Sequence, residues 1–179
     1  MKKNNKSTLV LAFPKISVKD YKWIQSIREK HDKIFYHVVE PHFTIVFPVF
    51  NFDLKSINNH IKIAVKNVKA IKFSILGATT VKDSFSDGAD VFLIPDKGNS
   101  EIIKLHDKFY TGILLKELRL DIPFIPHIAI GRGGNIRGSK KIADKINKEK
   151  FLINGIINEL DLVEYEYPIV KTIKKFKLH

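Results

Sequence analysis

The sequence predicts an α+β fold: two pseudo-symmetric lobes of mainly antiparallel sheet, with outer helices around a central cleft. Three observations predict it. Strand-like and helix-like periodicities alternate along the chain in the order β-α-β-α-β-β-α-β-α-β-β. No linker or low-complexity stretch interrupts them, so residues 1–179 read as a single bilobal domain. The order also nearly repeats, because each half holds a helix, a short strand opening on Pro-His, a second helix and then paired strands.

Each element has its own signal. Thr8 to Phe13 is a short apolar run ended by Pro14, as in a buried strand. Ser17-Val-Lys-Asp20 resembles a capping box, and Ile24, Ile27, His31 and Ile34 follow at helical spacing. His42 to Phe47, between Pro41 and Pro48, is β-branched and aromatic, which marks a strand. Asp53 or Ser56 caps a second helix with Ile57, Ile61, Ala64, Val65 and Val68 on its apolar stripe. Ile71 to Val81 and Ala89 to Pro95 form two strands across a turn-rich connection at residues 84–88. Asn99 or Ser100 opens a third helix carrying Ile103, His106, Phe109, Tyr110 and Ile113. A strand at His127 to Gly131 leads into a basic, glycine-rich loop and a helix from about Ser139. Strands near Ile156 to Glu166 and Ile169 to Leu178 complete the chain.

Composition bounds the function. At 179 residues the chain is long enough to bury roughly 70% of its unfolded surface without staples. Its 44% apolar and 28% charged residues are those of a globular protein rather than a disordered one. There is no cysteine, which excludes disulfides, thiol nucleophiles and thiolate metal sites. The basic start and the apolar run from Thr8 to Phe13 are too short for a signal peptide, and no stretch approaches a membrane span. We therefore expect a soluble, cytoplasmic monomer with no membrane partner. The net charge of +12 favours polyanions, so RNA or nucleotide is the leading partner class, although lysine-rich composition also serves solubility.

Two segments carry the chemistry: PHFTIVF (Pro41 to Phe47) and PHIAIGR (Pro126 to Arg132). Seven histidines and seven prolines predict only about a quarter of one Pro-His dipeptide by chance, and two occur. Alternation puts Phe43, Ile45 and Phe47 inward, leaving His42 and Thr44 on the other face. Likewise Ile128 and Ile130 go inward, while His127 and Ala129 face out together. Two such histidines suit in-line cleavage of a phosphodiester, which needs a base on one side of phosphorus and an acid on the other. An imidazole with a pKa near 6.5 can play either part. A hydroxyl two residues along, at Thr44, is placed to donate to a phosphate oxygen.

With these motifs the chain resembles the two-histidine phosphoesterase superfamily, which includes the 2′-5′ RNA ligase-like proteins and cyclic phosphodiesterases. The family's mark is a pair of His-x-Thr/Ser-x motifs, often after proline, separated by about half the domain. PHFTI matches the first fully, and PHIAIGR matches the second except at Ala129, where the family has threonine or serine. The resemblance implies His42 and His127 as catalytic, with Thr44, Ala129 and Arg132 at the substrate. It implies neither a metal nor a cofactor. The expected activity is metal-independent hydrolysis, or reversible formation, of 2′,3′-cyclic or 2′-5′ phosphoester bonds. Ala129 removes one phosphate donor, so a catalytically weakened RNA- or nucleotide-binding module is the alternative. Which histidine is acid and which base stays open.

The other candidates each have a structural alternative. His106, on an apolar stripe, reads as structural. His31, His37, His60 and His179 have no paired context. Arg132 reads either as a strand-end residue or as a guanidinium fork for phosphate. Gly133-Gly134-Asn135, with Arg137, Lys140 and Lys141, reads as a lid or as a plain connection, and it lacks a P-loop ending. Phe13, Phe92 and Phe124 are candidates for base stacking, with core packing as the default. The lysines from Lys171 to Lys177 suit an edge strand.

Overall fold

The structure is a computed structural model that describes residues 6–83 and 86–179. It runs β1 (Ser7–Ala12), β2 (Lys15–Ile16), α1 (Val18–His31), β3 (Phe43–Phe50), α2 (Leu54–Ala64), β4 (Ile71–Lys82), β5 (Ala89–Lys97) and α3 (Asn99–Phe109). A 3-10 turn (Gly112–Glu117) leads to β6 (Ile128–Arg132), α4 (Ile136–Lys148), β7 (Ile153–Ile157), β8 (Glu159–Glu166) and β9 (Ile169–Lys177). The strands form two antiparallel sheets, ordered β3-β1-β8-β9 and β2-β7-β4-β5-β6. This is the α+β architecture that the patterning implies.

The helices begin where their caps direct. The Ser17 Oγ accepts from the Asp20 amide at 3.1 Å, and the Asp53 carboxylate accepts from the Ser56 amide at 2.8 Å. α1 packs on β6, α4 packs on β4 and β5, and α3 touches strands of both sheets. One cluster of buried residues draws on both sheets, including Val10, Ile45 and Leu162 from the first and Ile75, Leu93 and Ile130 from the second. Among the described residues, no helix is long and apolar enough to cross a membrane.

Several elements differ from the sequence reading. β7 and β8 are separate strands, because β7 pairs with β4 in the second sheet while β8 pairs with β1 in the first. The third helix buries Ile102, Leu105, His106 and Phe109, whereas Ile103 and Ile113 are exposed. Its N-cap position is Gly98 in the left-handed region, where a Cβ would meet the Lys72 carbonyl oxygen at 2.6 Å. α4 starts three residues before Ser139, because the Asn135 side chain accepts from the Gly138 amide at 2.8 Å. Ser84 and Phe85 of the expected β4–β5 connection lie outside the described residues, and the Asp83 amide donates to the Gly88 carbonyl across it.

β3 shows why strict alternation fails along a real strand. Its register against β1 shifts twice, so β3 carries extra residues relative to its partner. Phe43 and Ile45 are buried as expected, but Val46 and Val49 then take the core positions. Phe47 is turned out, half-buried, into the groove between the sheets.

Candidate active site

The two Pro-His strands hold equivalent places. β3 is an edge strand of the first sheet and β6 is an edge strand of the second. His42 and His127 each stand one residue before their strand, after a buried proline. Both histidines, with Thr44, Ala129 and Arg132, line one cavity of about 1090 Å³. The first sheet contributes Leu9, Leu11, Thr44, Val163, Tyr165 and Val170 to its wall, which is one face of the pleat across β1, β3, β8 and β9. The second sheet contributes Phe92, Ala129 and Gly131.

The same local geometry fixes both imidazoles. His42 Nδ1 lies 2.7 Å from the Glu40 carbonyl oxygen, and His127 Nδ1 lies 2.6 Å from the Ile125 carbonyl oxygen. A carbonyl can only accept, so each Nδ1 carries a proton. The neutral ring then has its basic lone pair on Nε2. Two residues 85 positions apart are thus held in one tautomer by one device, a hydrogen bond back to residue i−2.

The surroundings of the two rings are unequal. Phe92 stacks on His127 with centroids 3.5 Å apart and planes 12° from parallel, whereas Phe13 meets His42 tilted at 5.9 Å. Burial lowers the His127 pKa to about 4, against its hydrogen bond to Ile125, and His42 lowers it further. The His42 pKa is also lowered, chiefly by burial; the hydrogen bond to Glu40 opposes this, Arg28 adds to it, and the Asp32 carboxylate favours the proton. Both rings are therefore neutral near pH 7. An anion entering between them favours the protonated form, so binding and proton uptake are coupled.

Thr44 pairs across the ladder with Leu11 and presents its side chain to the cavity. Ala129 is exposed on the cavity wall, so the one motif position without a hydroxyl faces the same space. Arg132 is placed at the cavity but is not a free fork. Its Nε donates to Asp90 at 2.8 Å, and its terminal nitrogen lies 2.9 Å from an Asp83 oxygen. Asp90 is opposite Arg132 across the β5–β6 ladder, so strand register makes the pair. Burial raises the Asp90 pKa despite the arginine.

Two residues without a motif prove structural to the site. Arg28 is 2% exposed and donates to Asp32 and to the carbonyls of Phe35 and Val39. It thereby fixes the turn that leads into Pro41-His42, and it lines the cavity with Asp32, Phe35 and Val39. Its i,i+4 spacing to Asp32 was the available sequence signal. His106 is 3% exposed, hydrogen-bonds through Nδ1 to the Ile45 carbonyl at 2.9 Å and stacks on Phe124. It supports the back of β3 and does not line the cavity. Of the three phenylalanines considered for base stacking, Phe92 alone lines the cavity. The Gly133–Asn135 segment is pinned rather than loose: the Gly133 amide donates to Ser139 Oγ, and Gly133 and Gly138 pack backbone to backbone.

A cleft between two antiparallel sheets, with one histidine from each, defines a class of two-lobed phosphoesterase-like proteins. The chain belongs to the 2′-5′ RNA ligase superfamily, whose family model matches residues 16–167. A Bacillus licheniformis protein named "Putative phosphoesterase" is 24% identical over 160 residues, covering 85% of this chain and 89% of that one. Among solved structures, one described as a phosphoesterase superposes with a TM-score of 0.58 at 14% identity, covering 97% of this chain and 98% of the other. E. coli LigT, solved with 3′-AMP, superposes with a TM-score of 0.57 at 12% identity, covering 98% and 99% of the two chains.

Proposed function

We propose that the chain is a metal-independent phosphoesterase that opens, or reversibly forms, 2′,3′-cyclic or 2′-5′ phosphoester bonds at RNA ends or on nucleotides. The observation that carries this reading is the pair of Nδ1-anchored imidazoles lining one cavity from opposite sheets. LigT having been solved with 3′-AMP supports a nucleotide as the ligand class here.

In the hydrolytic direction, the diester anion binds between the rings and one imidazole takes up a proton. We assign that proton to His42, whose ring meets Phe13 only at a tilt, and leave His127, covered face to face by Phe92, as the base. His127 Nε2 removes a proton from water as the water oxygen bonds to phosphorus. The bond from phosphorus to one ribose oxygen breaks, and His42 Nε2–H gives its proton to that oxygen. Ring opening thus leaves a ribose hydroxyl and a phosphomonoester, and the reverse sequence reseals it. Each proton transfer is worth about 10²–10⁴-fold. Thr44 orients the phosphate, and Arg132, held by Asp90 and Asp83, shapes the cavity wall beside it. Residues 1–179 act as one bilobal unit in this reading.

The alternative is a nucleotide-binding module with weakened chemistry, favoured by the missing hydroxyl at Ala129 and by the two aspartates that hold Arg132. Chromatography separates the two. Incubation with 2′,3′-cyclic nucleotides and 2′-5′ dinucleotides in chelator yields product if the site is catalytic. Binding without product on the whole panel favours the module.

A further inference from the structure

The cavity is unlike the outside of the molecule. Its lining contains three cationic side chains, Arg28, Lys82 and Arg132, against five aspartates, and both arginines are held by carboxylates. In a chain of net charge +12, the basic surface lies elsewhere. One exposed basic stretch lies on α1 and α4. These helices are neighbours: Trp23 Nε1 donates to Glu149 at 3.3 Å, and Trp23 packs on Phe151 with centroids 4.9 Å apart. Further along, His31 ends α1 within the field of Lys145; its pKa is lowered by burial and then by Lys145, Lys30 and Lys33 together.

α4 buries Ser139, Ala143 and Ile146 and exposes Arg137, Lys141, Lys145 and Lys148. At i, i+4, i+8 and i+11 these four fall within ~80° of the helix circumference, and the first three are spaced ~6 Å apart along it. None of the four is in an ion pair among the described residues. The exposed carboxylate of Asp144 is paired with Lys140, while Glu149 keeps its charge and accepts from Trp23 at the far end of α4, and α1 carries Asp20 and Glu29. His31 is the residue between the stripe and the cavity. His31 packs against Gly131, where an added Cβ would come within 2.5 Å of its side chain, and Gly131 lines the cavity.

We infer that the α1–α4 face, with Arg137, Lys141, Lys145 and Lys148 beside Lys30 and Lys33, binds the sugar–phosphate backbone of an RNA strand whose end enters the cavity. The strand's chemistry, a row of regularly spaced monoanions, matches a row of unpaired cations one helical turn apart. Only one phosphodiester then needs to enter a cavity whose two arginines are already held by carboxylates. The choice of RNA as the polyanion rests on the proposed function; the location of the face does not.

Fluorescence anisotropy with a labelled single-stranded RNA of about a dozen nucleotides tests it, alongside turnover of a mononucleotide 2′,3′-cyclic phosphate by the same samples. Lys141→Glu/Lys145→Glu should weaken RNA binding at least about tenfold and flatten the log Kd against log salt slope by about 0.7 for each lysine lost. The control Lys62→Glu/Lys66→Glu changes the charge equally in the last turn of α2 and just after it, and α2 packs against α3. It should weaken binding less than about threefold. Both doublets should turn over the small cyclic phosphate as the unaltered protein does, which also reports that they are folded. Equal weakening by both doublets, or none by the first, overturns the inference. So does tighter, Lys141/Lys145-dependent binding to phosphatidylserine vesicles than to RNA. If the unaltered protein turns over no cyclic phosphate, the proposed function fails while the RNA measurement still decides this face, with circular dichroism reporting folding.

Discussion

The ring of Phe92 covers the ring of His127 at a centroid separation of 3.5 Å, although its partner across the β5–β6 ladder is Ala129. Phe92 therefore reaches diagonally to the residue two positions before its partner, as long side chains on one sheet face can. The small side chain at 129 leaves that path open. Phe92 thus shields His127 and fixes its orientation. Phe92→Ala should raise the His127 pKa from about 4 towards 6.5, read by NMR titration of the imidazole carbon-bound protons. The acid limb of kcat/KM should move up with it. An unchanged pKa would mean that the rest of the cavity wall, not the phenylalanine, buries the ring.

Replacing either imidazole removes one proton transfer and leaves the other intact. His42→Ala and His127→Ala should each lose at least about a hundredfold in kcat/KM on a 2′,3′-cyclic nucleotide. Circular dichroism should be unchanged, because both rings line the cavity rather than the core. Activity close to that of the unaltered protein in either variant would remove that histidine from the mechanism.

Ala129 faces the cavity, and in the proposed mechanism a hydroxyl there would meet the phosphate. Ala129→Thr adds a donor to a charged acceptor, worth about 1.5–3 kcal/mol when well placed. Turnover of a cyclic nucleotide should rise, by roughly tenfold, in steady-state assays. Slower turnover would indicate that the threonine displaces Phe92 from His127 and that the alanine is fitted to the present arrangement.

Acid should destabilise the fold over a defined window. The His127 pKa is depressed to about 4 in the folded state against 6.5 for the free side chain. Between these values the unfolded chain binds a proton that the folded chain does not, so stability falls as pH drops from 6.5 to about 4 and levels off below. The loss from this group is of order 2–3 kcal/mol. His42, His106 and His31, also lowered, act in the same direction. Urea titrations at pH 7 and pH 4.5 should show the loss, and His127→Gln should make it smaller.

The sequence was informative where local rules operate. Pro41-His42 and Pro126-His127 declared themselves by alternation and by composition, and both proved to open edge strands beside one cavity. Ser17 and Asp53 foretold two helix starts because a cap is a contact between residues three apart. What stayed hidden depended on register between distant strands. Arg132 reads either as a strand-end residue or as a phosphate fork, because only the β5–β6 pairing shows Asp90 opposite it. The Phe92 stack is invisible for the same reason. Phe47 was misplaced because a bulge adds residues to β3 without any mark in the side-chain pattern.

In the proposed mechanism the imidazoles of His42 and His127 share one anion. The most direct measurement is an NMR pH titration of all seven histidines with and without inorganic phosphate. The pKa values of His42 and His127 should rise together on phosphate addition, while the other five stay fixed. If phosphate binds and neither value moves, or only one does, the two rings do not flank a common phosphorus and the proposed acid–base pair is wrong.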